Sequence, residues 1–440
     1  MTVQVAVVGG GLSGLFTAVA LVSEGVDDVV VLERSVTPGG VAATISRDGY
    51  LLEPAVGTVL LPHPHLSPLL HIVGANLDPV ETSVRLVYTG ERLVEVPPSP
   101  KALLTPIMPV MAKLRLAAEP LIRRRSRVDD ESLDGFLTRR LGSDAGARLA
   151  WLAASGVYAG DPARLSARSS FRDLHALEGE AGSIVGGTVR RLRNRPKGTP
   201  RPSGHVPRGG MAKLASSAAR WLGGRYRGGF TVVAVKRDGA GWVVEGDETI
   251  RAGRVVLACR PGQAAVLVGG AFAATLRQEA AAPVVVAAFG GPVHEMTVPD
   301  AFGALTGRDS GLVTRGVLFE SSYARERAPE GHALVRVIAG GAGRRDIVGW
   351  DDDRIAGHLL DEVATMLRQD LRPTFVHIVR HSPGIPQYEV GHDRWLTEIS
   401  ALTPPGLALT GWGYRGVGVT HLATDAVAVA AASLPSAGSA

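Results

Sequence analysis

Val3-Gln4-Val5-Ala6-Val7-Val8-Gly9-Gly10-Gly11-Leu12-Ser13-Gly14 opens the chain, and Glu33 stands nineteen residues beyond Gly14. The largely apolar run Val3–Val8 reads as a strand buried on both faces. Leu12–Glu24 reads as a helix: Leu15, Val19 and Val22 share one face, and Gly25 stops it. Val29–Leu32 is a second strand, made parallel to the first by a right-handed crossover. Between strand and helix lies a G-x-G-x-x-G turn. Gly9 permits the tight turn, Gly11 lets backbone approach a pyrophosphate, and Gly14 lets the helix pack closely on the strand. Leu12 and Ser13 begin the helix, whose N-terminus favours the anion. Glu33 ends the second strand, where a carboxylate meets a ribose hydroxyl pair. The unit is a dinucleotide-binding βαβ.

The next residues narrow the nucleotide. Arg34 is followed by Pro38-Gly39-Gly40, and a second glycine pair after the second strand is a feature of FAD folds with amine-oxidase-like topology. The far end supplies the other half. Leu409-Thr410-Gly411-Trp412-Gly413-Tyr414-Arg415-Gly416-Val417-Gly418-Val419 reads as strand, Gly-rich turn and helix start. Its free N–H groups and positive dipole end suit the pyrimidine side of a flavin. The expected FAD contacts are Gly9, Gly11, Leu12, Ser13, Gly14, Glu33, Arg34, Gly39, Gly40, Gly57, Thr58, Val232, Gly411, Trp412, Val417, Gly418 and Val419.

Composition removes other classes. The chain has 440 residues, 45% hydrophobic and 20% charged, an ordinary globular balance that excludes a disordered chain. Gly, at 55, has no three-residue period, which excludes collagen. The single cysteine, Cys259, excludes a disulfide framework, a Cys-based zinc site and an iron–sulfur cluster; it reads as a small core residue. His63 and His65 lack a third ligand at useful spacing, so no metal is expected. The net charge is +5 and nearly all the positive charge is Arg, but no nucleic-acid-binding motif accompanies it. The start shows no signal peptide, and the longest apolar runs, such as Ala280–Phe289, are about half the length that spans a bilayer.

The fold class is α/β with α+β inserts: a Rossmann-like, discontinuous FAD-binding domain over 1–60, 209–267 and 400–440. A substrate domain is expected over 61–96 and 268–399, and a helical segment over 97–208. Met211–Leu222 and Arg354–Leu367 read as helices, and Phe230–Lys236 with Gly241–Glu245 as a hairpin around Asp238-Gly239. Arg190–Pro207, rich in Arg, Pro and Gly, reads as a surface loop. Leu103–Arg127 combines apolar residues with Arg123-Arg124-Arg125 and Arg127. Two readings stay open for it: peripheral contact with an anionic membrane, or a core helix with a solvated basic end.

Further motifs carry a resemblance. Gly156-Val157-Tyr158-Ala159-Gly160-Asp161-Pro162, Leu165-Ser166, Gly182-Ser183-Ile184-Val185-Gly186-Gly187, Arg208-Gly209-Gly210-Met211, and Ile385-Pro386-Gln387-Tyr388 with Gly391-His392 stand in that order. With the C-terminal Gly-rich turn, they make the sequence resemble the oxygen-dependent protoporphyrinogen/coproporphyrinogen oxidases over nearly the whole chain. The resemblance implies a p-hydroxybenzoate-hydroxylase-like FAD domain, non-covalent FAD, and six-electron oxidation of a porphyrinogen with O2 reduced to H2O2. It implies a cytoplasmic enzyme of haem biosynthesis, peripheral on a membrane in one reading, and is compatible with a homodimer. No side chain is assigned as catalytic, because the cofactor carries the chemistry. Gly156 and Gly160 are expected at the macrocycle.

The sequence also departs from that family. Glu53-Pro54-Ala55-Val56-Gly57 replaces the usual Glu followed closely by Gly-Pro or Gly-Ala. Val94 stands where some relatives carry an Arg for a substrate propionate, and Arg92, two residues away, is the substitute expected on that strand face. His381 replaces a frequent Trp. These changes motivate an alternative: a diverged flavin oxidase or dehydrogenase acting on an amine or a specialised metabolite. Phe302, Phe319 and Tyr323 suit an apolar wall against a flat substrate, or ordinary core. His421 suits contact with flavin or substrate, or a helix start without chemistry.

Overall fold

A computed structural model describes residues 1–97, 102, 105–123, 130–196 and 198–434. Two seven-stranded sheets organise it. In the first, the strands run Tyr226–Gly228, Val29–Glu33, Thr2–Val8, Ile250–Leu257, Gly241–Gly246 and Val232–Asp238 in spatial order, with Leu407–Leu409 also paired to Ile250–Leu257. Thr2–Val8 is parallel to Val29–Glu33, to which the helix Leu12–Ser23 connects it, and to Ile250–Leu257. The central strands are apolar because both faces are covered. On one side lie Leu15, Phe16, Val19 and residues of the helices Met211–Leu222 and Val419–Ala432; on the other lie Trp242, Phe272 and Leu276.

The second sheet runs Phe375–Pro386, Ala281–Pro292, His332–Gly340, Thr314–Phe319, Gly303–Thr306, Arg85–Tyr88 and Leu93–Glu95. Its two faces differ. Val285, Val317, Phe319, Val335 and Val337 pack against Ile355, Leu359 and Val363 of the helix Asp352–Leu367. The opposite face carries Leu305, Leu318, Arg336 and Ile338; there Arg336 lies across from Leu318, and Ile338 across from Gly316. The register slips between Thr314 and Gly316, leaving Arg315 at a bulge.

The segment 190–207 is more ordered than a loop. The helix Ile184–Asn194 runs through Arg190, Arg191 and Arg193, and Ser203–Pro207 is the central strand of a small sheet between Val59–Leu61 and Leu77–Pro79. Ser183 caps that helix by accepting from Gly186 N–H. No helix among the described residues is long and apolar enough to cross a membrane. Leu103, Leu104, Arg124, Arg125 and Arg127 of the basic–apolar segment lie outside the described residues; the helix Val110–Ala117 exposes Val110, Met111 and Leu114.

Candidate functional site

Both ends of the chain meet beyond the carboxyl ends of Thr2–Val8 and Leu407–Leu409, which both pair with Ile250–Leu257 in the first sheet. A Cβ on Gly14 would collide with the Gly9 carbonyl oxygen, so only glycine lets the helix Leu12–Ser23 sit this close to the strand end. A Cβ on Gly11 would meet nothing nearer than the Gly39 carbonyl oxygen at 3.8 Å, so the face of this turn is open to a group arriving from outside. Gly39 N–H donates to the Gly10 carbonyl at 2.8 Å, and Gly40 lies against Gly11, so the second glycine pair lies beside the first turn. Gly411 approaches Ser13. No side chain caps the helices Leu12–Ser23 and Val419–Ala432, and neither has an acid in its first turn. Two helix N-termini with unspent N–H groups and positive dipole ends therefore border the same place.

Glu33 completes that end. Its Oε2 accepts from Gly10 N–H at 2.6 Å and its Oε1 from Ser35 N–H at 2.8 Å, which leaves each oxygen a lone pair for a hydroxyl. Tyr226 lies beside it with a buried, unpartnered hydroxyl; burial, and then the Glu33 charge, push that phenol up to about 12. The open glycine face, two uncapped helix starts and a carboxylate with spare acceptors fit the diphosphate and ribose of FAD. Val232 is half-buried at the start of its strand, and Arg34 is exposed.

The C-terminal turn is held from across the molecule. Tyr388 donates its hydroxyl to the Trp412 carbonyl and accepts from Gly416 N–H at 2.7 Å, so one side chain fixes both limbs of the turn. The ring of Tyr388 stacks on His392, whose Nε2 bonds the Tyr414 carbonyl at 2.8 Å. Trp412 lies under the Arg260 guanidinium at 5.5 Å, and Val417 packs against the helical cluster that contains Tyr158, Leu165 and Tyr388. Gly418 is the N-cap and Val419 the first residue of the last helix; His421, exposed, packs over Gly416.

The Gly156–Gly160 stretch ends the helix Ser143–Tyr158, and Ala159 takes the left-handed conformation at its C-cap. Ala342 N–H and Gln387 Nε2 close the end by donating to the carbonyls of Ala159 and Tyr158, each at 2.9 Å. A side chain on Gly160 would meet Gln387 Oε1 at 2.6 Å, and one on Gly156 would meet Leu305 at 3.1 Å. Two motifs far apart in sequence thus form one joint, which Tyr388 links to the C-terminal turn.

Glu53 was expected to matter only through the altered loop that follows it. The structure makes it a fully buried hub. It accepts from Met211 N–H at 2.9 Å, from Thr44 Oγ1 and from Arg327. Burial pushes its carboxyl up, and Arg327 works against that. Arg336 pairs with Glu320 at 2.6 Å and donates to the Glu53 and Ala55 carbonyls at 2.8 and 2.6 Å. Gly57 lies against Arg336, and half-buried Thr58 follows it. No contiguous motif could have announced this network, because its members come from loop, helix and strand.

Of the expected substrate contacts, Phe319 and Tyr323 take the core alternative. Phe319 shares its face with Val317, in the core under the helix Asp352–Leu367, because strand alternation turns it away from the Arg336 side. Tyr323 is fully buried beside Glu320, with its ring stacked on Phe302 at 4.6 Å, and so presents no free face. Arg92 is exposed in the turn between Arg85–Tyr88 and Leu93–Glu95, where its N–H donates to Thr89 Oγ1. Phe302 stays half-buried. His63 has a local role, since its Nδ1 accepts from Leu66 N–H at a helix start. Cys259 is half-buried after its strand, and burial pushes its thiol up to about 12.

Comparison with known proteins extends over nearly the whole chain. The sequence profile described as flavin containing amine oxidoreductase matches residues 12–426. The chloroplastic protoporphyrinogen oxidase of Oryza sativa subsp. japonica is 29% identical over 429 residues, 88% of this chain and 79% of its own. The coproporphyrinogen III oxidase of Bacillus subtilis (strain 168) is 25% identical over 452 residues and covers 94% of each chain. A crystal structure of a candidate protoporphyrinogen oxidase from Exiguobacterium sp. 255-15 shares the fold, with a TM-score of 0.81 over 98% of both chains at 22% identity.

Proposed function

This chain belongs to the flavin containing amine oxidoreductase family and is an FAD-dependent oxidoreductase, and on that premise we propose that it oxidises a porphyrinogen to the porphyrin. The observation that carries the reading is the joint between Gly156–Gly160 and Ile385–Tyr388, tied through Tyr388 to the C-terminal turn. Three of the motifs that make up the resemblance meet there: Gly156–Pro162, Leu165-Ser166 and Ile385–Tyr388.

In this reading the segments 1–60, 209–267 and 400 onward hold FAD, 61–96 and 268–399 build the substrate side, and 97–208 closes one end. The first turns at Leu12–Gly14 and Gly418–Val419 receive the diphosphate and the pyrimidine end, Glu33 takes the ribose hydroxyls, and Gly39, Gly40, Gly57 and Thr58 border the ring system. The half-buried Leu305, Leu318 and Ile338 give a flat apolar macrocycle a surface that displaces water. Held by these residues, FAD would supply the two-electron acceptor for each of the three two-electron oxidations that separate a porphyrinogen from its porphyrin, with O2, reduced to H2O2, as the final oxidant. A cytoplasmic place, with Val110, Met111 and Leu114 resting on a membrane surface, belongs to the same reading.

The test supplies coproporphyrinogen III and protoporphyrinogen IX, side by side, to FAD-loaded protein in air. Porphyrin fluorescence should rise while O2 is consumed. Flavin-loaded protein that produces no porphyrin from either compound overturns the reading, and anaerobic bleaching by an amine instead would favour an amine oxidase.

A further inference from the structure

Four arginines are buried among the described residues: Arg140, Arg315, Arg327 and Arg336. Three are neutralised in place, Arg140 by Glu119, Arg327 by Glu53 and Arg336 by Glu320. Arg315 is not. It is 5% exposed, and its one hydrogen bond runs from Nε to the Gly340 carbonyl at 2.8 Å. Neither terminal nitrogen has an acceptor among the described residues, and neither is sealed from solvent. Asp161 acts on it without forming an ion pair; that carboxylate accepts from Ala163 N–H instead, and Arg344 adds a second positive charge to the neighbourhood. Taking an unpaired cation out of water costs several kcal/mol (order of magnitude), so a site of this kind calls for an anion.

The position says which anion. Arg315 sits at the bulge, next to Gly316, whose neighbour Leu305 touches Gly156 of the loop expected at the macrocycle. Trp151, on the helix that carries Gly156, lies 4.6 Å from the guanidinium carbon. The indole lies against the guanidinium while Nη1 and Nη2 carry no acceptor among the described residues, and such a pair of donors takes a carboxylate in two parallel hydrogen bonds.

We propose that Arg315 anchors a carboxylate side arm of the substrate, a propionate of the porphyrinogen, at the Gly156–Gly160 end of the site. The inference rests on the porphyrinogen reading and deepens it. Arg315 supplies the anion recognition that Val94 lacks, from a different strand.

The test compares wild type, Arg315→Leu and Arg315→Lys on coproporphyrinogen III, protoporphyrinogen IX and their methyl esters. Arg315→Leu should raise KM for the free acids by about 10- to 100-fold, the usual worth of a charge-assisted pair, and change kcat far less. Wild type should reject the esters and Arg315→Leu should not, while Arg315→Lys should recover part of the discrimination. Bound FAD per chain and the thermal midpoint should hold or rise in Arg315→Leu, because an unpaired buried charge has been removed. A lower midpoint with an unchanged acid-to-ester ratio would make Arg315 structural and overturn the inference alone. Wild type that oxidises neither porphyrinogen would instead overturn the functional reading, and with it the ligand named here.

Discussion

Replacing Arg336 by Met would strand a carboxylate in the protein interior. Glu320 is fully buried, and its other cation is Arg327, with Nε at 3.9 Å. The replacement removes the 2.6 Å pair to Glu320 and the two Nη1 bonds that hold the carbonyls of Glu53 and Ala55. Breaking a buried pair from one side costs about 3–5 kcal/mol. Two carbonyls losing a charged donor add about 1–3 kcal/mol more, after allowance for non-additivity. We expect a total of about 4–8 kcal/mol, measured by urea unfolding at fixed FAD concentration so that mass action from the cofactor is constant. FAD should dissociate faster as well, because the released loop carries Gly57 and Thr58. Pairing the change with Glu320→Gln removes the stranded charge and should restore about half of the loss. A single variant within about 1 kcal/mol of wild type, or a double variant no better than the single, would refute this account of the network.

Three further outcomes follow from the same geometry. Gly11→Val places a side chain on the open face of the first turn, and the purified protein should be colourless; full retention of flavin would mean that the diphosphate lies elsewhere. Tyr388→Phe leaves Gly416 N–H without its acceptor and should cost about 1–3 kcal/mol in unfolding while weakening FAD retention, read by fluorescence of released flavin; unchanged stability would show that the turn holds itself. Glu119 should contribute to acid sensitivity. Burial pushes its carboxyl up, but Ser183, Ile184 and Val185 N–H and Arg140 together hold it below its ordinary value. A depressed carboxyl contributes stability above the unfolded value of about 4.3 and loses it as the pH falls through the lower folded value. Unfolding free energy should therefore drop steeply below about pH 4 in wild type and less steeply in Glu119→Gln, whose equal slope would show that other carboxyls control the transition.

The nucleotide half was legible because its signals are local. Val3–Val8, the glycine turn and Glu33 fall within one crossover, where steric demands and the length of a helix fix the spacing. The hairpin at Asp238-Gly239 and the amphipathic helix Asp352–Leu367 were equally readable, each from its own period. The stretch 190–207 misled because Arg-rich composition resembles a loop, whereas Ser203–Pro207 owes its strand to partners at residues 59–61 and 77–79. Phe319 stayed open between wall and core because aromatic character says nothing about which face of a sheet a residue takes.

Sequence alone pointed to FAD, and to the two ends of this chain as the place proposed to hold it, since turn geometry and helix start are written in consecutive residues. The fold decided what charge and hydroxyl groups do. Glu53 became a hub, Tyr388 a clasp and Arg315 an unmatched cation only when strands and loops distant in the chain were brought together, because the worth of a buried polar group is set by its neighbours in space.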